Sequence, residues 1–457
     1  MKEQKALKPF AFWALVWGLG LAGQLCWNME NQWFNTFVYA KIAKDSGIVT
    51  AMVIASALVT TLSTFFFGTI SDRRGARRHY VSIGYIAWGI CTIGFGMTEF
   101  IVSGAVGGAK AVAAAGVLVV LADCVMSFFG SMGNDAGYNV WTNDMTTNQN
   151  RGQMGAVLAT QPVIGTIAGT LLGGMLIGAE DNYQRLFWVM GGFVICVGIF
   201  SLIFLKDSPT LQAHCKGSFV RQMFAVFDIK TVLHHKELLL SSITAMLFFI
   251  PFNIYFVHMG NWMIYYLGFT ADTMGLVQGI GLILAMLFSI PAIFAINKNK
   301  TPLLVTVAVL VNIAGLLLIY LRALPSMVNP ALLFSAQNLP LFIGVFLSGA
   351  GYVLFTQALT MWTKQLYPET NRGQFEGVRI VFFTLLPMII GTLIGNIIIK
   401  NGAGTVVNSF GITENIPTES IFIWAAMLLA LTFIPLYFAA KSYHARVRAH
   451  QPKAETV

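Results

Sequence analysis

The chain has 457 residues, of which 56% are hydrophobic and only 10% are charged, and its mean hydropathy is +0.71. A soluble globular protein carries about a quarter charged residues. Apolar runs of about twenty residues recur along nearly the whole sequence, and each is long enough to cross a bilayer as a helix. The composition excludes a soluble globular protein and indicates a polytopic membrane protein.

Twelve apolar runs are predicted to be transmembrane helices, called spans 1 to 12. They cover residues 10–40, 48–70, 79–100, 112–141, 153–178, 185–205, 238–267, 273–296, 302–321, 340–363, 373–399 and 419–440. An even number places both termini on one side, where the termini and loops hold 21 Lys and Arg against five on the other, with Arg185 at the start of span 6 and Arg379 within span 11. Because cytoplasmic loops carry this excess, both termini are predicted to be cytoplasmic.

The formal net charge of +9 follows from this topology, so no nucleic-acid partner is expected. Five cysteines form neither a metal-ligand cluster nor a disulfide framework. Residues 1–23 mimic a signal peptide, but the polar insert that follows argues against cleavage. We therefore expect an uncleaved, multi-pass protein of the cell (inner) membrane, a monomer in the lipid bilayer, without a cofactor or bound metal.

Span 1 carries the polar insert QLCWNMENQWFN at residues 24–35. Its amides fall at helical spacing on one face: Gln24, Asn28, Asn31 and Asn35. Glu30 lies beside them, and an ionised carboxylate near the bilayer centre costs roughly 2.5–3.5 kcal/mol on insertion scales. The insert therefore indicates a water-facing functional surface. The alternatives are that the amides bridge helices and that Glu30 lies at the outer water interface.

After span 2 comes GTISDRRGARRH, residues 68–79. This stretch resembles the loop 2–3 signature of the major facilitator superfamily, whose aspartate latches the two halves by contacting the start of helix 11. The resemblance implies a gating set of Gly68, Asp72, Arg73, Gly75 and Arg77. Three further arginines are added to this set, Arg151, Arg372 and Arg379. The alternatives are a structural charge network of Arg151 with Asp135 and Asp144 and a structural pair of Arg379 with Glu376. The glycines are expected to allow a tight turn and close helix approach. The alternative is a generic basic cytoplasmic loop.

Two loops share a pattern 221 residues apart: WTNDMTTNQNRGQ at 141–153 and WTKQLYPETNRGQ at 362–374. NQWF at 31–34 and GNWM at 260–263 match more weakly. We predict an all-α membrane protein with twelve transmembrane helices in two pseudo-symmetric six-helix halves, the major facilitator fold. The halves are 1–205 and 238–457, and 206–237 is a cytoplasmic linker. An interfacial helix is expected there, with an apolar face of Phe219, Val220, Met223, Phe224 and Phe227.

The sequence W-T-x-D-x-T-x(4)-R-G at 141–152 resembles the glycoside–pentoside–hexuronide:cation symporter branch. The resemblance implies that carboxylates on helices 1 and 4 hold a sugar and that carboxylates on helix 2 hold the coupling cation. Glu30 and Asp123 fit the first role. Helix 2 departs from the pattern, because Thr60 and Thr64 stand where the cation-binding carboxylates are expected. We therefore expect coupling to protons rather than sodium.

Helices 1, 4, 7 and 10 line the cavity in this superfamily. The predicted substrate-binding residues are Trp27, Asn28, Glu30, Asn31, Asp123, Asn134, Asn253, Tyr255, His258 and Gln357. Glu30 lies 20 residues and Asp123 18 residues from the cytoplasmic ends of their spans, about 30 and 27 Å deep. Helices 1 to 4 offer no Lys or Arg at that depth, so both carboxylates cannot stay ionised together. We assign proton coupling to this pair. His258 is alternatively a satisfied core residue.

Small and aromatic residues complete the predictions. The resemblance places helices 5 and 11, with glycines at 165, 169, 173, 391 and 395, at a sliding interface between the halves. Ordinary tight packing is the alternative. Tryptophans 13, 17, 141 and 362 are expected in the cytoplasmic interface belt, and tryptophans 33 and 262 in the outer belt or against ligand.

No P-loop, metal-ligand spacing or nucleophile constellation occurs, so the chain is not expected to be an enzyme. The leading interpretation is a secondary active transporter of a sugar or glycoside-like solute, working by alternating access and coupled to protons. One alternative, kept open by 36 phenylalanines and 20 methionines, is an exporter of amphipathic drugs or lipids. The other is a non-transporting receptor or lipid scaffold.

Overall fold

The computed structural model describes residues 9–103, 109–147, 149–213, 217–224, 235–297, 300–366, 379–407 and 411–450. Within them, twelve helices are long and apolar enough to cross a membrane, and this confirms the predicted all-α membrane fold. They are α1 (Phe10–Ile42), α2 (Ser46–Arg74), α3 (Arg78–Ile101), α4 (Lys110–Asp144), α5 (Gln153–Ile177), α6 (Tyr183–Phe204), α7 (Lys236–Tyr266), α8 (Ala271–Pro291), α9 (Thr301–Arg322), α10 (Ala336–Thr363), α11 (Val381–Lys400) and α12 (Ser420–Arg448).

Between α11 and α12 lies a short antiparallel hairpin. Its strands are β1 (Thr405–Val407) and β2 (Thr413–Asn415), with Val406 opposite Glu414.

The exposed faces of the helices carry large apolar side chains, whereas several polar side chains are buried. Met175 is 66% exposed and Ile203 is 63% exposed, whereas Asn35 and Asp123 are at most 1% exposed. This distribution suits a protein whose surroundings are hydrocarbon, since lipid solvates apolar side chains and polar groups must find partners within the protein. The chain is a multi-pass membrane protein.

The glycine stripe of α5 holds α1. A Cβ added at Gly165 would lie 2.4 Å from Gln24 Cβ, and one at Gly169 would lie 2.5 Å from Asn28 Oδ1. Gly391 of α11 makes the matching contact with α7, where an added Cβ would lie 2.8 Å from Asn253 Cβ. These three glycines therefore pack each helix against a partner of its own half. The neighbouring Gly174 of α5 meets Gly275 of α8, and a sliding interface between the halves stays a prediction.

One π-helical turn interrupts each of four spanning helices: α1 at Val38–Ile42, α4 at Asn134–Tyr138, α7 at Trp262–Tyr266 and α11 at Val381–Leu385. Such single turns occur frequently at functional sites. In α1 and α7 the turn lies at the carboxyl end of the helix. It follows the NQWF segment in α1 and begins within the GNWM segment in α7.

Four tryptophans predicted at membrane belts are instead fully buried. Trp141 donates its indole N–H to the Lys206 carbonyl at 2.9 Å, and Trp362 donates to Glu237 Oε1 at 2.8 Å. Trp33 and Trp262 are 0% exposed. The belt prediction is wrong for these four because protein groups, rather than lipid headgroups, surround their rings. Trp13 and Trp17 are half-buried, and their place in a belt stays a prediction.

The first part of the linker lies against α2. Its short helix Phe219–Phe224 packs Phe219 on Phe66, with ring centroids 5.6 Å apart. Val220 is 61% exposed and Phe224 is 49% exposed. These exposed apolar side chains suit the predicted interfacial helix. Phe227 lies outside the described residues.

The chain forms two compact units. One comprises Met1–Phe224, Val257–Gly279 and Asn396–Thr418, and the other comprises Ala225–Phe256, Ile280–Gly395 and Glu419–Val457. The first unit thus adds the end of α7, the start of α8 and the end of α11 to helices α1–α6. The division into halves at 205 and 238 stays a prediction.

Candidate functional site

Two buried carboxyl groups form the centre of the candidate site. Glu30 on α1 is 7% exposed and Asp123 on α4 is 1% exposed. Glu30 Oε1 accepts a 2.8 Å hydrogen bond from the hydroxyl of Ser127, one helical turn after Asp123. The Ser56 side chain of α2 lies beside Asp123, although its hydroxyl donates to the Val53 carbonyl at 3.2 Å. The two carboxyl groups repel each other when both are charged. Three helices therefore bring the predicted pair together.

Each carboxyl group keeps one oxygen free. Glu30 Oε2 and Asp123 Oδ1 are buried and have no hydrogen-bond partner among the described residues. Buried polar atoms are nearly always hydrogen-bonded, so an orphaned oxygen calls for an explanation. A carboxyl group kept from water must bind a proton, meet a cation or accept hydrogen bonds from a ligand. One oxygen of each carboxyl group in this pair is therefore available for such a partner.

Aromatic and amide side chains of α3 and α4 lie around the ring of Trp27 on α1. Its indole donates to Asn134 Oδ1 at 3.3 Å, and Asn134 donates to the Tyr85 hydroxyl at 2.8 Å. The Trp27 and Trp88 rings lie 4.9 Å apart. Trp27 is only half-buried, so part of its face remains available for stacking. Asn134 acts here as a bridge between helices.

The amides of α1 have divided roles. Asn31 donates to the Trp27 carbonyl and Asn35 donates to the Asn31 carbonyl, both at 2.7 Å within the helix. Asn28 packs on Gly169, and its Oδ1 has no partner in the described part of the chain. Of the predicted polar face, Asn28 keeps an unused acceptor and Asn31 is half-buried, whereas Gln24 packs on α5.

The predicted site residues of the second half divide between the two units. His258 belongs to the first unit, is 0% exposed, and neither ring nitrogen has a hydrogen-bond partner among the described residues. Asn253, Tyr255 and Gln357 belong to the second unit. Asn253 donates to the Phe249 carbonyl at 2.8 Å, and Gln357 donates to Ser289 at 3.3 Å. That these residues share one cavity with Glu30 stays a prediction.

Three contacting residues were missed by the sequence interpretation: Ser56, Tyr85 and Trp88. Ser56 lies one turn before Thr60 on helix 2, the helix on which a coupling site was considered. The Thr64 hydroxyl instead donates to the Thr60 carbonyl within the helix. Tyr85 and Trp88 lie three residues apart on α3, which was not expected to line a cavity; no signal in the sequence singled them out.

The predicted gating loop is organised by Arg77. Its guanidinium contacts Asp72 at 2.5 Å and Asp144 at 2.8 Å. Burial by itself lowers the pKa of Arg77, but the hydrogen bonds and charges of Asp144 and Asp72 outweigh it, so the pKa lies above its ordinary value. A polar cavity of about 470 Å³ adjoins this cluster, lined also by Ser208, Thr210, Leu211 and Gln212. The guanidinium is a permanent charge between two carboxylates.

The linker occupies the rest of this loop. Asp207 accepts hydrogen bonds from the backbone N–H groups of Arg77 and Arg78, both at 2.8 Å, and so caps α3. Arg73 donates to Gln222 and to the Gly217 carbonyl. Gly75 has a φ of +60°, and an added Cβ would lie 2.8 Å from the Ala213 nitrogen. Arg73 and Gly75 therefore serve the linker contact in this structure.

Other gating predictions have different outcomes. A Cβ added at Gly68 would meet no described atom within 4 Å, so the predicted close approach does not hold there. Arg151 begins the helix Arg151–Ile177, but its side chain, Arg372 and the start of helix 11 lie outside the described residues. Arg379 is half-buried, and the latch by Asp72 stays a prediction.

Comparisons with known proteins fit this architecture. The family model described as Major Facilitator Superfamily matches residues 16–333. No curated protein matches the sequence.

Three solved structures show the same fold over nearly the whole chain. A variant of the nucleoside transporter NupG has a TM-score of 0.66 at 11% identity, covering 93% of this chain and 98% of its own. A D-xylose-proton symporter has a TM-score of 0.66 at 13% identity, covering 93% of this chain and 97% of its own. A bacterial homologue of the iron transporter ferroportin, in an inward-facing state, has a TM-score of 0.64 at 10% identity, covering 95% of this chain and 97% of its own. At such low identity these likenesses bear on the fold alone.

Proposed function

The chain belongs to the major facilitator superfamily and is a membrane transporter, and from that premise we propose that it imports a sugar or glycoside-like solute in symport with protons. The observation that carries the proposal is the Glu30 and Asp123 pair, in which each buried carboxyl group keeps an oxygen without a partner among the described residues. One group holds a proton, and the other accepts hydrogen bonds from solute hydroxyls.

The surroundings of the pair favour a neutral, hydroxyl-rich solute. Trp27 offers part of an aromatic face, and Asn28 offers an unused acceptor oxygen. Amides bond hydroxyl groups, and aromatic faces pack on the apolar faces of sugar rings. The groups that act electrostatically on Glu30 are themselves acidic, namely Asp123 and Asp135. An anionic solute would therefore be repelled.

The resemblance to the glycoside–pentoside–hexuronide:cation branch, carried by the loop at 141–152, supports the same class of solute. It also assigns the sugar to carboxylates on helices 1 and 4. We propose that the halves 1–205 and 238–457 alternate access to this site, with Asp72 as a latch.

Uptake by cells that lack their own sugar carriers tests the proposal. We expect accumulation of at least one labelled neutral sugar or glycoside, greater at an external pH of about 6 than at about 8, and lost in Glu30→Gln. Glu99→Gln is the matched control, because Glu99 pairs with Lys41 away from the site. If the protein is instead an exporter of amphipathic drugs or lipids, it should lower the cellular content of labelled amphiphiles and accumulate no sugar.

A further inference from the structure

A chain of neutral amide hydrogen bonds joins four helices of the first compact unit. Thr170 of α5 donates to Gln32 Oε1 at 2.8 Å, and Gln32 of α1 donates to Gln278 Oε1 of α8 at 2.6 Å. Gln278 in turn contacts the sulfur of Met263 on α7 at 3.5 Å. All four side chains are at most 5% exposed. None belongs to the predicted substrate or gating residues.

These bonds cross from the first sequence repeat to the second. A parallel bond lies nearby, since Asn261 of α7 donates to the Asn35 carbonyl of α1 at 3.2 Å. Both links lie toward the end of α1 that is predicted to be extracellular. Below them on α1, one turn earlier, lies Asn28 with its unused acceptor oxygen.

Beside these bonds, the backbones of α5 and α8 contact each other at two glycines. A Cβ added at Gly174 of α5 would lie 3.1 Å from the Gly275 Cα of α8, and one at Gly275 would lie 2.9 Å from the Thr170 carbonyl oxygen. Small residues let two helices touch backbone to backbone without interlocking side chains. These two glycines offer little side-chain interlocking of their own, and the amide bonds are the buried hydrogen bonds that join the helices beside them.

We propose that Gln32, Gln278 and Thr170 form an uncharged clasp that closes the outer access route to the Glu30 site. This rests on the proposed function, because a clasp of this kind has a role only in alternating access. Hydrogen bonds between neutral groups are weak once exchange with water is counted. The clasp therefore opens readily, and its three side chains contain no ionisable group.

The test is the reactivity of a cysteine below the clasp, which needs no substrate. In a cysteine-free background, Asn28→Cys is labelled from outside sealed cells with a membrane-impermeant maleimide. Gln32→Leu and Gln278→Leu should each raise the labelling rate about three- to tenfold, as expected for the loss of about one hydrogen bond. The double variant should be labelled no faster than the faster single variant, because both substitutions remove the same bond.

The matched control is Gln161→Leu. Gln161 is also a buried amide, 2% exposed, but it donates at 2.9 Å to the Val16 carbonyl within the first repeat, so its loss should leave the labelling rate unchanged. Additive effects of the two substitutions, or an equal effect of Gln161→Leu, would overturn the clasp. If labelling follows the expected pattern while the chain with Asn28 intact takes up no sugar or glycoside, the clasp stands and the proposed solute class fails.

Discussion

The hydroxyl of Ser127 on α4 donates a 2.8 Å hydrogen bond to Glu30 Oε1 on α1. Ser127 lies one turn after Asp123, so this bond holds Glu30 against the part of α4 that carries Asp123. It also favours the ionised form of Glu30, since a hydroxyl donates more strongly to a carboxylate than to a neutral carboxyl group. The bond therefore links the position of Glu30 to its readiness to release a proton.

Ser127→Ala should move the pH dependence of uptake toward higher pH. A hydrogen bond to a charged group contributes about 1.5–3 kcal/mol, and about 1.4 kcal/mol corresponds to one pH unit. We expect the midpoint of the uptake profile to rise by about one to two units, because Glu30 then holds its proton more firmly. Ser131→Ala, on the same helix one turn further on, serves as the control. An unshifted midpoint in Ser127→Ala would show that this bond has no part in proton release.

Glu30→Gln and Asp123→Asn should each abolish pH-dependent accumulation. At least one of the two variants should still exchange labelled solute across the membrane, because the other carboxyl group still binds it. Counterflow in proteoliposomes separates exchange from accumulation. If both variants accumulate solute with the pH dependence of the wild type, the pair is not the coupling site.

Uptake should not depend on sodium. The Thr64 hydroxyl donates to the Thr60 carbonyl at 2.8 Å, and helix 2 supplies oxygen atoms but no carboxylate at these positions. Initial uptake rates should be equal in sodium and choline buffers at constant pH and membrane potential. A severalfold stimulation by millimolar sodium would contradict proton coupling as described.

Gly165→Ala should destabilise the protein, whereas Gly155→Ala should not. At Gly165 the new methyl group would lie 2.4 Å from Gln24 Cβ and 3.1 Å from a backbone carbon, while at Gly155 it would meet nothing within 4 Å. Overpacking of this kind costs about 1–3 kcal/mol, and alanine is otherwise the better helix residue by about 0.5–1 kcal/mol. Thermal unfolding of purified protein should show a lower Tm for the first variant only. Equal Tm values would mean that α1 and α5 are not packed tightly at this point.

The sequence predicted the twelve helices and the Glu30 and Asp123 pair, because both depend on local signals. Long apolar runs identify spans, and an acid in such a run is rare enough to stand out. The repeat was visible in loops and recurs in packing. Trp33 and Trp262 are 229 residues apart, as are Gln24 and Asn253, and the latter two pack on glycines of α5 and α11.

The sequence alone did not predict which side chains contact each other across helices. Nothing local distinguishes a tryptophan at a membrane belt from Trp141, which donates to a linker carbonyl. The glycines at 165 and 169 show that some helix comes close, but they do not say which one. Arg77 could not be separated from its three neighbouring arginines, although it alone binds both Asp72 and Asp144 among the described contacts.

Movement of protons together with the solute distinguishes proton symport from uncoupled uptake. Energy-depleted cells that express the protein are suspended in a weakly buffered medium, a solute accepted in the uptake screen is added, and the external pH is recorded. We expect a transient rise in external pH that is absent in Glu30→Gln and retained in Glu99→Gln. Uptake of the same labelled solute without any change in external pH would contradict proton symport through the Glu30 and Asp123 pair.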